Sequence, residues 1–187
     1  MIIADRMALH TLVDGLRGLD LAACPDDAVG ALLGVAIRKK PAIRVATTTE
    51  QPRAYTRTLL FRDDAFELLA LYWPDGASTG IHDHGTRRCW FGLATGRMRV
   101  DNFRRTDDGT VAGRATLAPQ PDSHLAPGDL DVRSNDLDLH RCVALEPATM
   151  TIHVYARPLE RFHLFDETTE TYDECAPTYD AQAIVPS

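Results

Sequence analysis

Gly80-Ile81-His82-Asp83-His84-Gly85-Thr86-Arg87-Arg88-Cys89 decides how this chain is read. Two histidines at i and i+2 on a β-strand point to the same face, because side chains alternate with period two. Both imidazoles can therefore reach one metal ion, while Asp83 points the other way. Working outward, five residues separate Gly76 from His82, four separate His84 from Cys89, and six separate Cys89 from Gly96. A histidine pair alone is common in soluble proteins. The pair framed by two glycines at fixed distances is a sharper pattern.

Length and composition bound the rest. With 187 residues the chain can build one core of good size, and a second full domain is not expected. Hydrophobic residues at 44% and charged residues at 25% describe an ordinary globular protein. A formal charge of −7 argues against nucleic acid as a partner. Arg87-Arg88 and Arg38-Lys39-Lys40 are too short for polyanion binding and read as solvated faces. No apolar run is long enough to span a bilayer, and the N-terminus lacks the apolar core of a signal peptide, so no membrane and a cytoplasmic location are expected. Cys24, Cys89, Cys142 and Cys175 show no C-x-x-C spacing, which speaks against a disulfide framework or structural zinc.

Met7, Leu9, Leu12, Val13 and Leu16 recur at helical spacing and predict a helix over 5–19. Pro25-Asp26-Asp27 predicts a helix start, with the helix running from Ala28 to Ile37 until Pro41 interrupts. From Tyr55 the chain changes to short runs rich in β-branched and aromatic residues. Strands are predicted over 54–61, 66–73, 80–84, 88–94, 97–103, 113–118, 129–133, 138–144, 149–156 and 162–165. Turn residues at Arg62-Asp63-Asp64, Pro74-Asp75-Gly76, Thr95-Gly96, Asp107-Asp108-Gly109 and Pro127-Gly128-Asp129 separate most of them. The expected architecture is mainly β: an antiparallel, jelly-roll-like barrel with N-terminal helices packed outside. The expected organisation is one domain over 1–187, with a helical segment over 1–45, the barrel over 46–172 and a surface tail over 173–187.

The glycine-framed histidine pair resembles the first motif of the cupin superfamily, with Cys89 where a ligand glutamate usually stands. More specifically, the chain resembles the cysteine dioxygenases, mononuclear non-haem iron enzymes of that superfamily. The resemblance covers roughly residues 54 to 170. Its motifs are Tyr55-Thr56-Arg57, Leu71-Tyr72-Trp73, the histidine stretch with Cys89, Leu139-His140-Arg141, and Thr151-Ile152-His153-Val154-Tyr155.

That resemblance implies a site, residue by residue. His82, His84 and His140 become metal ligands, and Fe(II) the cofactor, although three histidines alone would also suit zinc, nickel or copper. Arg57 becomes the partner of the substrate carboxylate, because a planar guanidinium binds a carboxylate through two parallel hydrogen bonds. Tyr55 shares its face, and Trp73 shapes the pocket or simply packs the core. Cys89 and Tyr155 become a pair able to form a thioether crosslink. His153, with Thr151 where serine is more usual, becomes part of a relay that holds the catalytic Tyr155. The implied substrates are L-cysteine and O2 and the implied product is cysteine sulfinic acid, with a monomer as the expected assembly.

Departures from the family pattern bear on the thiol more than on the reaction. Phe162 stands where many relatives carry a small residue, Ala144 where an asparagine often follows the third histidine, and Ala156-Arg157-Pro158 replaces serine with consecutive prolines. Arg87, Arg88 or Arg157 could serve a longer acid. A dioxygenase of another small thiol, such as 3-mercaptopropionate, is the first alternative. A metal-binding cupin without catalysis is the second, and a zinc or nickel cupin isomerase the third.

Overall fold

A computed structural model describes residues 6–39, 55–134 and 138–182. Its strand-forming runs fold into β1 (Thr56–Arg62), β2 (Phe66–Trp73), β3 (Ile81–His82), β4 (Cys89–Thr95), β5 (Met98–Arg105) and β6 (Leu117–Leu125). After these come β7 (Leu130–Arg133), β8 (Asp138–Ala144), β9 (Thr149–Ala156), β10 (Phe162–Asp166), β11 (Thr171–Cys175) and β12 (Ala181–Gln182). They form two six-stranded sheets, in the orders β12-β1-β2-β9-β4-β7 and β11-β10-β3-β8-β5-β6. Every strand pair is antiparallel except β1 with β12. The protein is mainly β, as expected. Among the described residues the sheets remain two separate hydrogen-bonded layers and do not join into one closed barrel.

The first sheet shows why its central strands read as near-continuous apolar runs. All of Phe66–Leu71 is buried along β2, as is nearly all of β9. Alternate residues serve two cores, because both faces are covered. One face takes the two helices, α1 (Arg6–Arg17) and α2 (Asp26–Arg38). Leu9, Leu12, Val13 and Leu16 of α1, at i, i+3, i+4 and i+7, join Val29, Leu33 and Ile37 of α2 against Leu60, Phe66, Leu68, Trp90, Ile152 and Val154. The opposite face turns Leu69, Leu71, Trp73, Phe91, Leu93 and Tyr155 into the space between the sheets.

Two polar ties fix α2 on β4. Asp26 in its first turn accepts from Trp90 Nε1 at 2.7 Å and from Arg88 Nη2 at 2.5 Å. Arg88 Nη1 also donates to Leu21 O, and its guanidinium lies 4.6 Å from the Trp90 ring. Arg88 is thus a helix-docking residue and not a free surface charge. Gly92 makes the close approach possible, since a Cβ there would sit 2.3 Å from Ile37 Cδ1.

The strand expected over 80–84 keeps only Ile81–His82, and two further departures from the sequence expectation each have a physical reason. The strand expected over 113–118 lies at 117–125, and it contains Pro119 and Pro121. Prolines normally end a strand, but β6 is the outer strand of its sheet, where an N–H can be missing without breaking a ladder. The polar stretch from Asp173, expected to drape over the surface, instead completes β11 and then adds β12. Each of these pairs with an otherwise free sheet edge, a long-range choice that local polarity does not reveal. No described helix is long and apolar enough to cross a membrane.

Gly96 closes the β4–β5 turn at φ +80°, and a Cβ there would lie 2.1 Å from Thr149 Oγ1 and 2.7 Å from Thr149 Cα. Gly96→Ala should therefore cost about 2–4 kcal/mol of stability, read as a lowered midpoint in urea unfolding. An unchanged midpoint would show that the turn can relax at no cost.

Candidate metal centre

The strand β3 is only two residues long and cannot hold itself in place. Asp83, the residue between the two histidines, does so by pointing away from them. Its Oδ1 accepts from the backbone N–H of His163 at 2.8 Å and of Gly85 at 3.2 Å, and its Oδ2 meets His163 Nδ1 at 2.7 Å. This staples β3 to β10, where Leu164 pairs with His82. On its other side, His82 is the direct cross-strand partner of His140 in β8. His84 lies just beyond the end of β3, yet still turns inward, buried at 6% exposure.

The three rings converge. His82, His84 and His140 place ligand nitrogens within 4.8 Å of one another, and ring centroids stand 4.6–5.1 Å apart. His82 Nε2 and His140 Nε2 are 3.2 Å apart. Two nitrogens each about 2.1 Å from one ion, at an angle of about 90–100°, fall about 3.0–3.2 Å apart, so this spacing fits a shared divalent metal. His82 Nδ1 lies 3.1 Å from Gly80 O, which selects the tautomer with Nε2 free to ligate. Desolvation by burial is the leading cause that lowers all three pKa values, to about 4 for His82 and well below the usual 6.5 for His84 and His140. Neutral imidazole is the form a metal needs.

Beside this cluster lies a second row of polar groups on the inner face of the first sheet. Register pairs Glu67 with Tyr155, Tyr155 with Cys89, and Cys89 with Arg133, so the four side chains run across β2, β9, β4 and β7. Cys89 and Tyr155 are direct cross-strand partners, which sets the thiol beside the phenol. Burial pushes both well above their usual pKa values. Cys89 and Tyr155 therefore face one another as neutral groups, within reach of His84, whose ring centroid is 5.6 Å from that of Tyr155.

The residues Thr151, His153 and Tyr155 share a face, as their alternation predicts, but the hydrogen bonds run away from the tyrosine. Trp73 Nε1 donates to Thr151 Oγ1 at 2.9 Å, and the same hydroxyl shares a hydrogen bond of 2.8 Å with His153 Nε2. The other ring nitrogen, His153 Nδ1, is buried without a hydrogen-bond partner. His153 instead stacks parallel to Tyr155, at 6.1 Å and 13°, and to Phe91, at 4.8 Å and 13°. Trp73, fully buried, also stacks on Tyr55 at 4.5 Å.

Arg57 enters from β1. Its Nε and Nη2 are inaccessible and unpartnered. It lines a cavity of about 300 Å³ with Phe162 and with Tyr55, whose side chain lies beside it in the same wall. Phe162 also lies edge-on to His82 at 6.3 Å, so one wall of the cavity packs against the histidine cluster. Arg87 and Arg157 line different clefts, away from Arg57. A role for them beside a longer acid in the Arg57 cavity has no geometric support.

Asp131, Arg133 and Glu67 are buried charged groups on the strands of the first sheet. Asp131 and Arg133, both at 8% exposure, form a two-bond ion pair at 2.6 Å for each contact. Glu67, at 0% exposure, accepts from Tyr179 OH at 2.7 Å, and desolvation raises its pKa. The Asp-Val-Arg alternation in β7 carried a readable signal, two charges on one strand face. Glu67, alone in an apolar run, carried none that distinguishes a buried carboxylate from an edge residue.

The comparisons follow this geometry. The family model described as Cysteine dioxygenase type I matches residues 43–168, well over half the chain. Cysteine dioxygenase type 1 of Danio rerio is 28% identical over 129 residues, covering 67% of this chain and 62% of that protein. The Homo sapiens protein of the same name is 25% identical over 129 residues with the same coverage. The chain therefore spans under two thirds of the length of these relatives. Among solved structures, KdgF from Halomonas sp. superposes with a TM-score of 0.45 at 18% identity, over 59% of this chain and 84% of that one. The chain belongs to the cysteine dioxygenase type I family.

The lowered histidine pKa values make the metal-free protein acid-sensitive. As pH falls below about 6.5 the unfolded chain takes up protons that native His82 refuses until about pH 4, and the lowered values of His84 and His140 act in the same direction. Stability of the metal-free form should be full above about pH 6.5 and decline steadily toward about pH 4, measured as urea midpoints across that window. His82→Gln should flatten the decline. A pH-independent midpoint in the parent would contradict neutral burial of these rings.

Proposed function

We propose that this member of the cysteine dioxygenase type I family is a ferrous thiol dioxygenase that converts L-cysteine and O2 to cysteine sulfinic acid. The observation that carries the reading is Arg57: two buried, unpartnered donors on one edge of a guanidinium, in a cavity whose Phe162 wall packs on His82. A buried donor left without a partner costs free energy, and a bidentate carboxylate is the acceptor whose geometry matches that edge.

Fe(II) held by His82, His84 and His140 would supply open coordination positions for a thiol and for dioxygen, and the electrons that activate the latter. Uptake of both oxygen atoms by the thiol sulfur balances the reaction, so no outside reductant is required. The protein's own part is placement and exclusion of water. Arg57, with Tyr55 beside it, binds and orients the carboxylate. Trp73 locks Tyr55 by stacking and locks Thr151 and His153 by hydrogen bonding, so the pocket wall is rigid. Tyr155 offers a neutral phenol beside the site, and its position beside Cys89 supports a thioether crosslink between them. Closing that bond would remove one hydrogen from each residue, a two-electron oxidation for which dioxygen would be the oxidant.

Reconstitution with Fe(II) without oxygen, followed by O2 and a panel of thiols, tests the reading. L-cysteine should give cysteine sulfinic acid by mass spectrometry. Turnover of 3-mercaptopropionate in its place would reassign the substrate, and no thiol-dependent O2 uptake would leave a metal-binding protein without this activity. Arg57→Ala should raise the KM for L-cysteine about a hundredfold, the scale of a lost charge-assisted pair, while metal content stays the same. Protein recovered after turnover should lose the mass of two hydrogens, and Cys89→Ser should not.

A further inference from the structure

We infer that residues 176–182 form a strap that positions Arg57 and thereby sets the preference for thiols carrying a carboxylate. For its substrate this rests on the thiol dioxygenase reading; the strap's hold on Arg57 stands independently of it. After β11 the chain crosses the Arg57 cavity, where Ala176, Pro177, Thr178 and Asp180 make one wall opposite Tyr55 and Phe162.

The strap grips Arg57 at both of its backbone polar groups. The Arg57 N–H donates to Asp180 Oδ2 at 2.8 Å, and the Asp180 N–H donates to Arg57 O at 2.8 Å. The chain then continues as β12, pairing in parallel with Thr58 and Leu59. Two residues of parallel ladder are a weak attachment by themselves. Side-chain anchors must therefore carry the strap. Asp180 is one. Tyr179 is the other: its ring lies 5.8 Å from the Arg57 guanidinium, and its hydroxyl donates to the buried Glu67 carboxylate at 2.7 Å while accepting from Arg62 Nη1 at 3.3 Å.

Without this grip β1 would be the free edge of its sheet at the residue whose placement matters most. Two-point recognition of a carboxylate tolerates little displacement, so a loosened β1 should weaken capture of the substrate and leave the metal cluster on β3 and β8 intact. Asp180 and Tyr179 are positioning residues that act through Arg57.

Hydrogen exchange and steady-state kinetics on the full-length, iron-loaded protein test this together. Asp180→Ala should speed backbone exchange over residues 55–60 about tenfold or more, with residues 81–84 and 149–156 unchanged. The same variant should raise the KM for L-cysteine about tenfold with kcat within about threefold and iron content unaltered. Asp180→Asn keeps a carbonyl acceptor and should restore both measurements toward the parent. Unchanged exchange over 55–60 in Asp180→Ala overturns the strap's hold, whatever thiol is oxidised. Faster exchange with an unchanged KM overturns its effect on substrate capture. A parent protein inert toward L-cysteine, with 3-mercaptopropionate also inert, overturns the substrate reading and the preference built on it, and the exchange data alone then decide the clamp.

Discussion

The site depends on a two-residue strand being held in register. His82 meets His140 across β3 and β8, and nothing in so short a ladder fixes that pairing. The Asp83 carboxylate fixes it from behind, by taking up two backbone N–H groups and the ring of His163. A shift of one residue would send both histidines to the opposite face, since strand side chains alternate. One residue between two candidate ligands thus serves as the staple that aims them.

Burial sets the chemistry that the staple makes possible. Burial shuts water away from His84 and His140 and half-covers His82, and this desolvation keeps the imidazoles neutral and available as ligands. The same desolvation keeps the neighbouring Cys89 and Tyr155 protonated. It also makes nearby charges expensive: Arg133 is doubly bonded to Asp131, while Glu67 takes the Tyr179 hydroxyl on Oε2 and leaves Oε1 without a partner. Such pairs contribute little net stability compared with apolar packing, but losing one partner of either would strand a charge in the interior.

The N-terminal helices reach the site only indirectly. By covering the outer face of the first sheet they let β2, β9 and β4 be buried on both sides, which makes the strands carrying Cys89, His153 and Tyr155 the most enclosed part of the molecule. The Asp26–Arg88–Trp90 tie fixes the helix layer one residue away from Cys89 on each side. The C-terminal strands do the equivalent work at the edge. Opposite ends of the chain therefore meet the same sheet, one on its face and one on its rim.

What the sequence determined by itself was whatever depends on local periodicity and spacing. The helix stripe of Leu9, Leu12, Val13 and Leu16, the strand alternation of Thr151, His153 and Tyr155, and the histidine pair framed by Gly76 and Gly96 were all legible, because each is a relation among near neighbours. So was the mainly β class. The tertiary structure alone decided matters of long-range pairing. It placed Pro119 and Pro121 within an edge strand, turned the polar segment after Asp173 into β11 and β12, and set Asp180 against Arg57. It also assigned Arg88 to docking a helix, and brought Glu67 and Arg133 into line with Tyr155 and Cys89. The physical reason is common to all of these: polarity and propensity report a residue's preference for water or for a backbone shape, whereas its partner is chosen by register between strands distant in the chain.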